Sequence, residues 1–109
     1  MTLTLPNPVA AYLAAEQAKD AEQVSVCFAA DGLVHDEGRT YRGRDEILRW
    51  KRAADEKYRY TMQVISAHTH GNEVTVRARL TGDFPGSPVE VNHFFKLSND
   101  KISSLEIRS

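Results

Sequence analysis

Cysteine is almost missing from this chain, in which Cys27 is the single one among 109 residues. One cysteine excludes an internal disulfide and the paired thiolates of a typical structural zinc site. It fits a reducing compartment, so we predict a cytoplasmic protein. Helical spacing puts Cys27 beside Val24 on an apolar stripe, which predicts an inert core thiol rather than a nucleophile.

The chain also lacks long apolar runs and an excess of either charge. No segment approaches the roughly 20 apolar residues that a membrane-spanning helix needs. The 14 basic and 15 acidic residues leave a formal net charge of -1, which gives no electrostatic attraction for nucleic acid or an anionic membrane. Residues 1–6 have neither a basic start nor a long apolar stretch, so we expect no signal peptide.

Sequence motifs for nucleophilic catalysis and for nucleotide binding are absent as well. The sequence has no Ser-His-Asp order, no phosphate-binding glycine loop and no dinucleotide-binding motif. His68 and His70 share one face of a predicted strand and could chelate a metal ion with a nearby carboxylate. Such pairs next to a Gly-Asn turn are common by chance, so we predict neither a metal nor an organic cofactor.

Helical periodicity dominates the first part of the chain. Apolar residues recur at helical spacing over 8–18, with Asn7 as the predicted N-cap and a proline at the first helical position. Asp20 followed by Gln23 resembles a capping box. This pair predicts a second short helix that ends at Asp31-Gly32.

From residue 33 onward, extended runs surround one further helix. The predicted elements are extended runs at 33–36 and 40–42, a helix at 44–56, and strands at 58–70, 73–81, 89–97 and 102–107. Strands that are joined by short turns most simply pair antiparallel. Helices followed by such a meander predict one α+β domain over residues 1–109, in which the helices pack on one face of a curved sheet and leave a concave pocket.

Several motifs in this order resemble the nuclear transport factor 2-like superfamily. In the N-terminal half they are Phe28-Ala-Ala-Asp-Gly32, Asp36, Tyr41-Arg-Gly-Arg-Asp-Glu-Ile47 and Trp50. Thr81-Gly-Asp-Phe-Pro-Gly-Ser-Pro-Val89, Phe95-Lys-Leu97 and Lys101-Ile-Ser-Ser-Leu-Glu-Ile107 resemble its SnoaL-like, or polyketide cyclase-like, branch. The resemblance covers nearly the whole chain and implies an α+β cone with a half-open apolar pocket. It does not fix a reaction, because this fold hosts isomerases, cyclases, hydrolases, dehydratases and non-enzymatic binders.

The resemblance also implies catalytic positions. Compared with the steroid isomerases of the superfamily, Asp36 occupies the position of the general base, and Tyr12 and His93 occupy those of the two oxyanion donors. Two departures stand out: His93 replaces a carboxylic acid, and Lys51 replaces a supporting tyrosine. These positions imply a cofactor-independent isomerase or cyclase that moves a proton next to the carbonyl of a small, mostly apolar compound.

Six further residues are predicted to contact the ligand: Trp50, Phe28, Tyr58, Tyr60, Met62 and His35. Each candidate also has a structural interpretation. Tyr12 and His93 lie on apolar stripes and could simply be core residues, and Asp36 lies near a turn and could face solvent. Because His35 and Asp36 alternate on one extended run, one of the two is expected to point outward.

Two other functions remain open at this point. The same pocket could belong to a non-catalytic ligand-binding or scaffold protein. Epoxide hydrolysis would require an acid–arginine–acid cluster around a water molecule, which the sequence does not place. The outer sheet face, with Arg77, Arg79, Asn92 and Phe94, predicts a homodimer, because a large aromatic side chain on that face needs a cover.

Overall fold

The computed structural model describes residues 5–57 and 59–109, so Tyr58, one of the predicted ligand contacts, lies outside the described residues. The elements are α1 (Asn7–Gln17), α2 (Ala21–Val26), β1 (Phe28–Asp36), β2 (Arg39–Arg42), α3 (Gly43–Lys57), β3 (Tyr60–His70), β4 (Glu73–Gly82), β5 (Val89–Ser98) and β6 (Lys101–Arg108). The predicted α+β class is confirmed.

Capping explains where the first two helices begin. Asp20 caps α2 as predicted, since its Oδ1 accepts the Gln23 amide N–H at 3.2 Å. The predicted N-cap at Asn7 is wrong. Pro6 is the N-cap of α1, and its carbonyl oxygen accepts the N–H groups of Val9 and Ala10 at 3.0 Å each, so the helix begins at Asn7 without a side-chain cap.

The second helix is shorter than predicted. It ends at Val26, and Phe28, which lies within the predicted helix, is the first residue of β1. Phe28 pairs with Ile102 of β6, and the Ile102 N–H donates to the Cys27 carbonyl at 2.9 Å. The Arg44 guanidinium donates to the Phe28 carbonyl at 2.9 Å. Pairing with the distant strand β6 therefore overrides the local helical pattern.

The six strands form one sheet in the order β2-β1-β6-β5-β4-β3. All neighbours are antiparallel except β1 and β6, which pair in parallel. The register shifts between Phe28 and Leu33, between Val64 and Ser66, and between Lys96 and Leu97. Bulges of this kind bend strands, and the bending curves the sheet around the helices.

The core fills the space between the helices and the concave sheet face. Its largest fully buried apolar side chains are Tyr12, Phe28, Phe95, Ile47, Ile102 and Leu105. Cys27 is 8% exposed and lies in this core, as predicted. None of the helices in the described ranges is long and apolar enough to cross a membrane.

The outer sheet face is polar around one aromatic side chain. Arg77 and Arg79 are exposed and share Glu90, which lies on the neighbouring strand, through ion pairs of 2.8 and 3.0 Å. Phe94 is half-buried, and the Arg108 guanidinium carbon lies 4.7 Å from its ring centroid. Part of the cover that we expected over Phe94 therefore comes from the chain itself.

Candidate active site

A half-open cavity of about 1360 Å³ lies between α1, the β1–β2 hairpin, α3 and the concave face of β3 to β6. Its lining residues are Tyr12, Glu16, Asp36, Glu37, Gly38, Arg39, Tyr41, Arg49, Trp50, Lys51, Ala53, Ala54, Lys57, Tyr60, Met62, Leu80, Phe84, Pro85, Val89, Val91, His93, Ile107, Arg108 and Ser109. The three predicted catalytic residues, Asp36, Tyr12 and His93, all line it.

Asp36 ends β1 with its carboxylate at the cavity. The Trp50 indole N–H of α3 donates to its Oδ2 at 3.0 Å, which fixes the carboxylate against the helix. Burial raises the pKa of Asp36 above its ordinary value, and the Trp50 hydrogen bond only partly opposes this effect. A carboxylate with a raised pKa is a stronger proton acceptor, as a general base requires.

His93 lies on the concave face of β5 and is only 4% exposed. Burial lowers the pKa of His93 to about 4, so the imidazole is neutral at neutral pH. Its Nδ1 has no hydrogen-bond partner among residues 5–57 and 59–109. A buried polar atom without a partner is costly, and such atoms are often retained for a functional role.

Tyr12 projects from α1 toward the same part of the sheet. Its ring centroid lies 6.3 Å from that of His93 and 5.2 Å from that of Phe95. Burial and the negative charge of Glu16 raise the pKa of Tyr12, so its hydroxyl keeps its proton. Tyr12 and His93 are thus neighbouring neutral groups that can each donate a hydrogen bond to a ligand oxygen.

The predicted ligand contacts divide into two groups. Trp50, Tyr60 and Met62 line the cavity. Phe28 and His35 do not, and both assignments are corrected. Phe28 is fully buried behind Tyr12, with ring centroids 6.2 Å apart. His35 lies at a smaller groove with Phe94 and Glu106, and its Nδ1 is 2.9 Å from the Thr40 hydroxyl. Of the alternating pair, Asp36 is the residue that faces the cavity.

Sequence reasoning missed a cluster of charges at the cavity wall. Lys51 of α3 is 1% exposed and lies 2.5 Å from Glu16 of α1 and 2.5 Å from Asp55. The Tyr60 hydroxyl donates to Glu16 at 2.8 Å and accepts from Lys51 at 3.3 Å. Two signals were available: Glu16 follows Tyr12 by one helical turn, and Lys51 and Asp55 are four residues apart.

The hydrogen-bonding groups of this cluster bond to one another, so few of them are left for a ligand. The three N–H donors of Lys51 are directed at Glu16, Asp55 and Tyr60, and Glu16 also accepts from Lys19 at 3.2 Å. Burial alone would raise the pKa of Glu16, but the charge and hydrogen bonds of Lys51 and Tyr60 lower it. The acid–lysine–acid order resembles what epoxide hydrolysis requires, but its cation is fully engaged by protein groups.

No metal centre accompanies these groups in the described part of the chain. Residues 5–57 and 59–109 contain no group of three or more His, Cys, Asp or Glu side chains that could hold a metal ion. His68 and His70 are both exposed on β3.

The neutral state of His93 predicts a pH dependence of stability. Because its folded pKa of about 4 lies below the ordinary 6.5, the unfolded chain binds a proton first as pH falls, and stability is lost between pH 6.5 and 4. We expect His93 to account for a loss of about 2 kcal/mol in the free energy of unfolding between pH 7 and pH 5. Urea unfolding at both pH values should show that His93→Gln removes this part of the loss, while the exposed control His68→Gln retains it. An equal loss in the His93→Gln variant and the wild type would contradict a neutral buried imidazole.

Comparisons with known proteins agree with this architecture. The model of the SnoaL-like domain matches residues 9–105. A candidate polyketide cyclase from Sinorhizobium meliloti is 36% identical, with 95% of each chain covered and a TM-score of 0.91. A protein with a ketosteroid isomerase-like fold from Catenulispora acidiphila, solved with trimethylamine, is 26% identical over 97% of this chain and 87% of its own, with a TM-score of 0.85.

A more distant structure shares the fold alone. A candidate ketosteroid isomerase from Kribbella flavida is 14% identical, covers 94% of this chain and 74% of its own, and superimposes with a TM-score of 0.81. A search of functionally curated proteins gave no significant match.

Proposed function

The chain belongs to the SnoaL-like domain family, and on this premise we propose that it is a cofactor-independent enzyme that moves a proton next to the carbonyl group of a small, mostly apolar compound. One observation carries the proposal. Asp36, Tyr12 and His93 line a single cavity, and the Nδ1 of the buried His93 has no partner among the described residues. The reaction class is isomerisation or cyclisation, since both begin with loss of a proton from the carbon beside a carbonyl.

Asp36 is the general base in this proposal. Its carboxylate accepts the proton from the carbon next to the carbonyl, and the electron pair of that C–H bond moves into an enolate. Desolvation raises the pKa of the carboxyl group, and the Trp50 N–H holds its orientation. In isomerisation the protonated Asp36 then returns the proton to another carbon. In cyclisation the enolate carbon forms a bond to a second carbonyl carbon of the substrate, the π electron pair of that carbonyl moves to its oxygen, and Asp36 protonates the resulting alkoxide.

Tyr12 and His93 stabilise the enolate oxygen. Both are uncharged at neutral pH, and Tyr12 with its O–H and His93 with its one ring N–H can each donate a hydrogen bond to the oxygen as negative charge develops. Both donors are buried, with Tyr12 1% and His93 4% exposed, and burial strengthens such hydrogen bonds relative to bulk solution. Trp50 and Met62 supply apolar surface for the body of the substrate.

Two relatives support this class of reaction. The Sinorhizobium relative is described as a candidate polyketide cyclase, and the Catenulispora relative as having a ketosteroid isomerase-like fold. Polyketides and ketosteroids both contain carbonyl groups with acidic neighbouring C–H bonds. The complex of the Catenulispora protein with trimethylamine also supports small-molecule binding in this family.

Hydrogen exchange into a simple ketone tests the proposal without knowledge of the natural substrate. Methyl 4-acetylbenzoate in D₂O should lose its acetyl proton signal faster with the wild-type protein than with buffer, and Tyr12→Phe combined with His93→Phe should slow the exchange. If the wild type binds the ketone but accelerates no exchange, the protein is a non-catalytic ligand-binding protein. In that case Trp50→Ala should weaken binding the most, because Trp50 is the largest aromatic side chain that lines the cavity.

We also propose that the protein forms a homodimer through its outer sheet face. Phe94 is only half-buried there although it is a large apolar residue, and Arg77, Arg79 and Glu90 add charges of both signs to the same sheet face. A surface with both charges can complement a second copy of itself across a two-fold axis. Light scattering should give twice the chain mass of 12.2 kDa for the wild type and the single mass for Phe94→Glu. A monomeric wild type would contradict the proposal.

A further inference from the structure

Most polar groups of the cavity are already engaged by the protein. Glu16, Lys51 and Tyr60 bond to one another, and Asp36 accepts from Trp50. Groups that remain open to a ligand therefore have to be found elsewhere on the cavity surface. Within residues 5–57 and 59–109, Arg39 and Arg49 line the cavity without a hydrogen bond or ion pair of their side chains.

Both arginines are exposed and lie at the open side of the cavity, its mouth, beside the proposed base. Arg39 is directly opposite Asp36 in the β1–β2 pairing, and Arg49 precedes Trp50 on α3. Several other arginines have partners instead: Arg44 donates to the Phe28 carbonyl, and Arg52, Arg77, Arg79 and Arg108 form ion pairs with Glu22, Glu90, Glu90 and Glu106. The mouth therefore offers two unengaged guanidinium groups next to the site of proton transfer.

The charge of the cavity differs from that of the chain. Among its described lining residues, five are basic and three are acidic, namely Arg39, Arg49, Lys51, Lys57 and Arg108 against Glu16, Asp36 and Glu37. The whole chain has 14 basic and 15 acidic residues. Lys51 is paired with Glu16 and Asp55, and Arg108 with Glu106, so the positive charge without a partner among the described residues is that of Arg39 and Arg49, which attracts anionic ligands and raises their local concentration.

We infer that the substrate is a carbonyl compound that carries an anionic group, with a carboxylate as its simplest form, and that Arg39 and Arg49 bind this group at the cavity mouth. The inference rests on the proposed function, because the carbonyl group is placed at Tyr12 and His93. Guanidinium groups suit this role, since each can donate two parallel hydrogen bonds to a carboxylate and remains charged at every physiological pH. The anionic group orients the substrate with its acidic carbon at Asp36.

A pair of probes that differ only in charge tests the inference. The probes are 4-acetylbenzoate and its neutral methyl ester, with dissociation constants measured by NMR titration. The wild type should bind the anion about 10-fold more tightly than the ester, since each exposed guanidinium contributes modestly. Arg39→Gln combined with Arg49→Gln should remove the preference and leave ester binding unchanged. Arg52→Gln, on the same helix and paired with Glu22 outside the cavity, should retain it.

The dependence of binding on salt concentration is a second measure of the preference for the anion over the ester. Raising the ionic strength should weaken binding of the anion and leave binding of the ester unaffected, because the mouth is exposed to solvent. Equal affinities for the two probes, or no measurable binding of the anion, would overturn the inference. So would a preference that survives in the Arg39→Gln, Arg49→Gln double variant.

Failure of this inference is distinguishable from failure of the proposed function. Affinity for the anion is an equilibrium property that requires no proton transfer, so Asp36→Asn should still prefer the anion over the ester. Exchange of the acetyl protons of the ester requires Asp36 but no anionic group. A protein that exchanges protons without preferring the anion keeps the proposed function and refutes the inference. A protein that prefers the anion but exchanges no protons refutes the proposed function and keeps the anion site at Arg39 and Arg49.

Discussion

Replacing Asp36 by asparagine is expected to slow deuterium exchange into methyl 4-acetylbenzoate about 10³-fold, the middle of the range for loss of a general base. The amide oxygen of asparagine can still accept the Trp50 N–H, so the side chain should keep its position. The amide cannot accept the substrate proton. Ester affinity should change by less than about threefold, because a neutral ligand gains little from the carboxylate charge.

The pH profile of the wild type provides an independent check on Asp36. The base must be ionised, so the exchange rate should rise with pH through an ionisation that lies above the ordinary 3.8 of an aspartate. This ionisation should be missing from the Asp36→Asn variant. Asp100→Asn, in the exposed turn between β5 and β6, is the matched control and should exchange at the wild-type rate. Wild-type exchange in Asp36→Asn would refute the assignment of the base.

The Lys51→Met variant is expected to lose about 3–5 kcal/mol of unfolding free energy. Lys51 is 1% exposed and neutralises the buried carboxylate of Glu16 at 2.5 Å, so methionine fills the volume but leaves Glu16 with only the partly exposed Lys19 as a counter-charge. For a domain of this size the loss corresponds to a melting temperature lower by roughly 15 °C or more. Thermal and urea unfolding would both measure it.

The neighbouring ion pair provides the control for Lys51. Arg52 pairs with Glu22 at 3.1 Å on the same helix, but both side chains are more than half exposed. Arg52→Met should therefore cost less than about 1 kcal/mol. Adding Glu16→Gln to Lys51→Met should recover a large part of the loss, since the buried charge disappears. Equal costs for Lys51→Met and Arg52→Met would show that the buried cluster contributes no more than a surface pair.

The sequence predicted most of the elements because their periodicities are strong and local. The third helix and the four long strands lie within a few residues of their predicted bounds. The end of α2 was placed wrongly because Phe28 continues the apolar spacing of the helix, whereas its partner Ile102 is 74 positions away in the chain. Pairing over such a separation leaves no trace in the local pattern.

The candidate site was predictable only in part. The resemblance supplied Asp36, Tyr12 and His93, and the structure brings all three to one cavity. Alternation along β1 showed that either His35 or Asp36 faces inward, but the choice depends on the register with β2 and β6. The Glu16–Lys51 pair joins two helices whose relative placement is set by the sheet beneath them, so no spacing rule within one segment could reveal it.

The central claim is that Tyr12 and His93 hold an enolate oxygen while Asp36 faces the adjacent carbon. A crystal structure with 2-naphthol tests it most directly, because the planar phenol resembles an enolate in shape and, as the phenolate, in the charge on its oxygen. We expect the naphthol oxygen within about 3 Å of both the Tyr12 hydroxyl and a His93 ring nitrogen, with Asp36 over the neighbouring ring carbon. A naphthol oxygen bound elsewhere in the cavity, with Asp36 turned toward solvent, would contradict the claim.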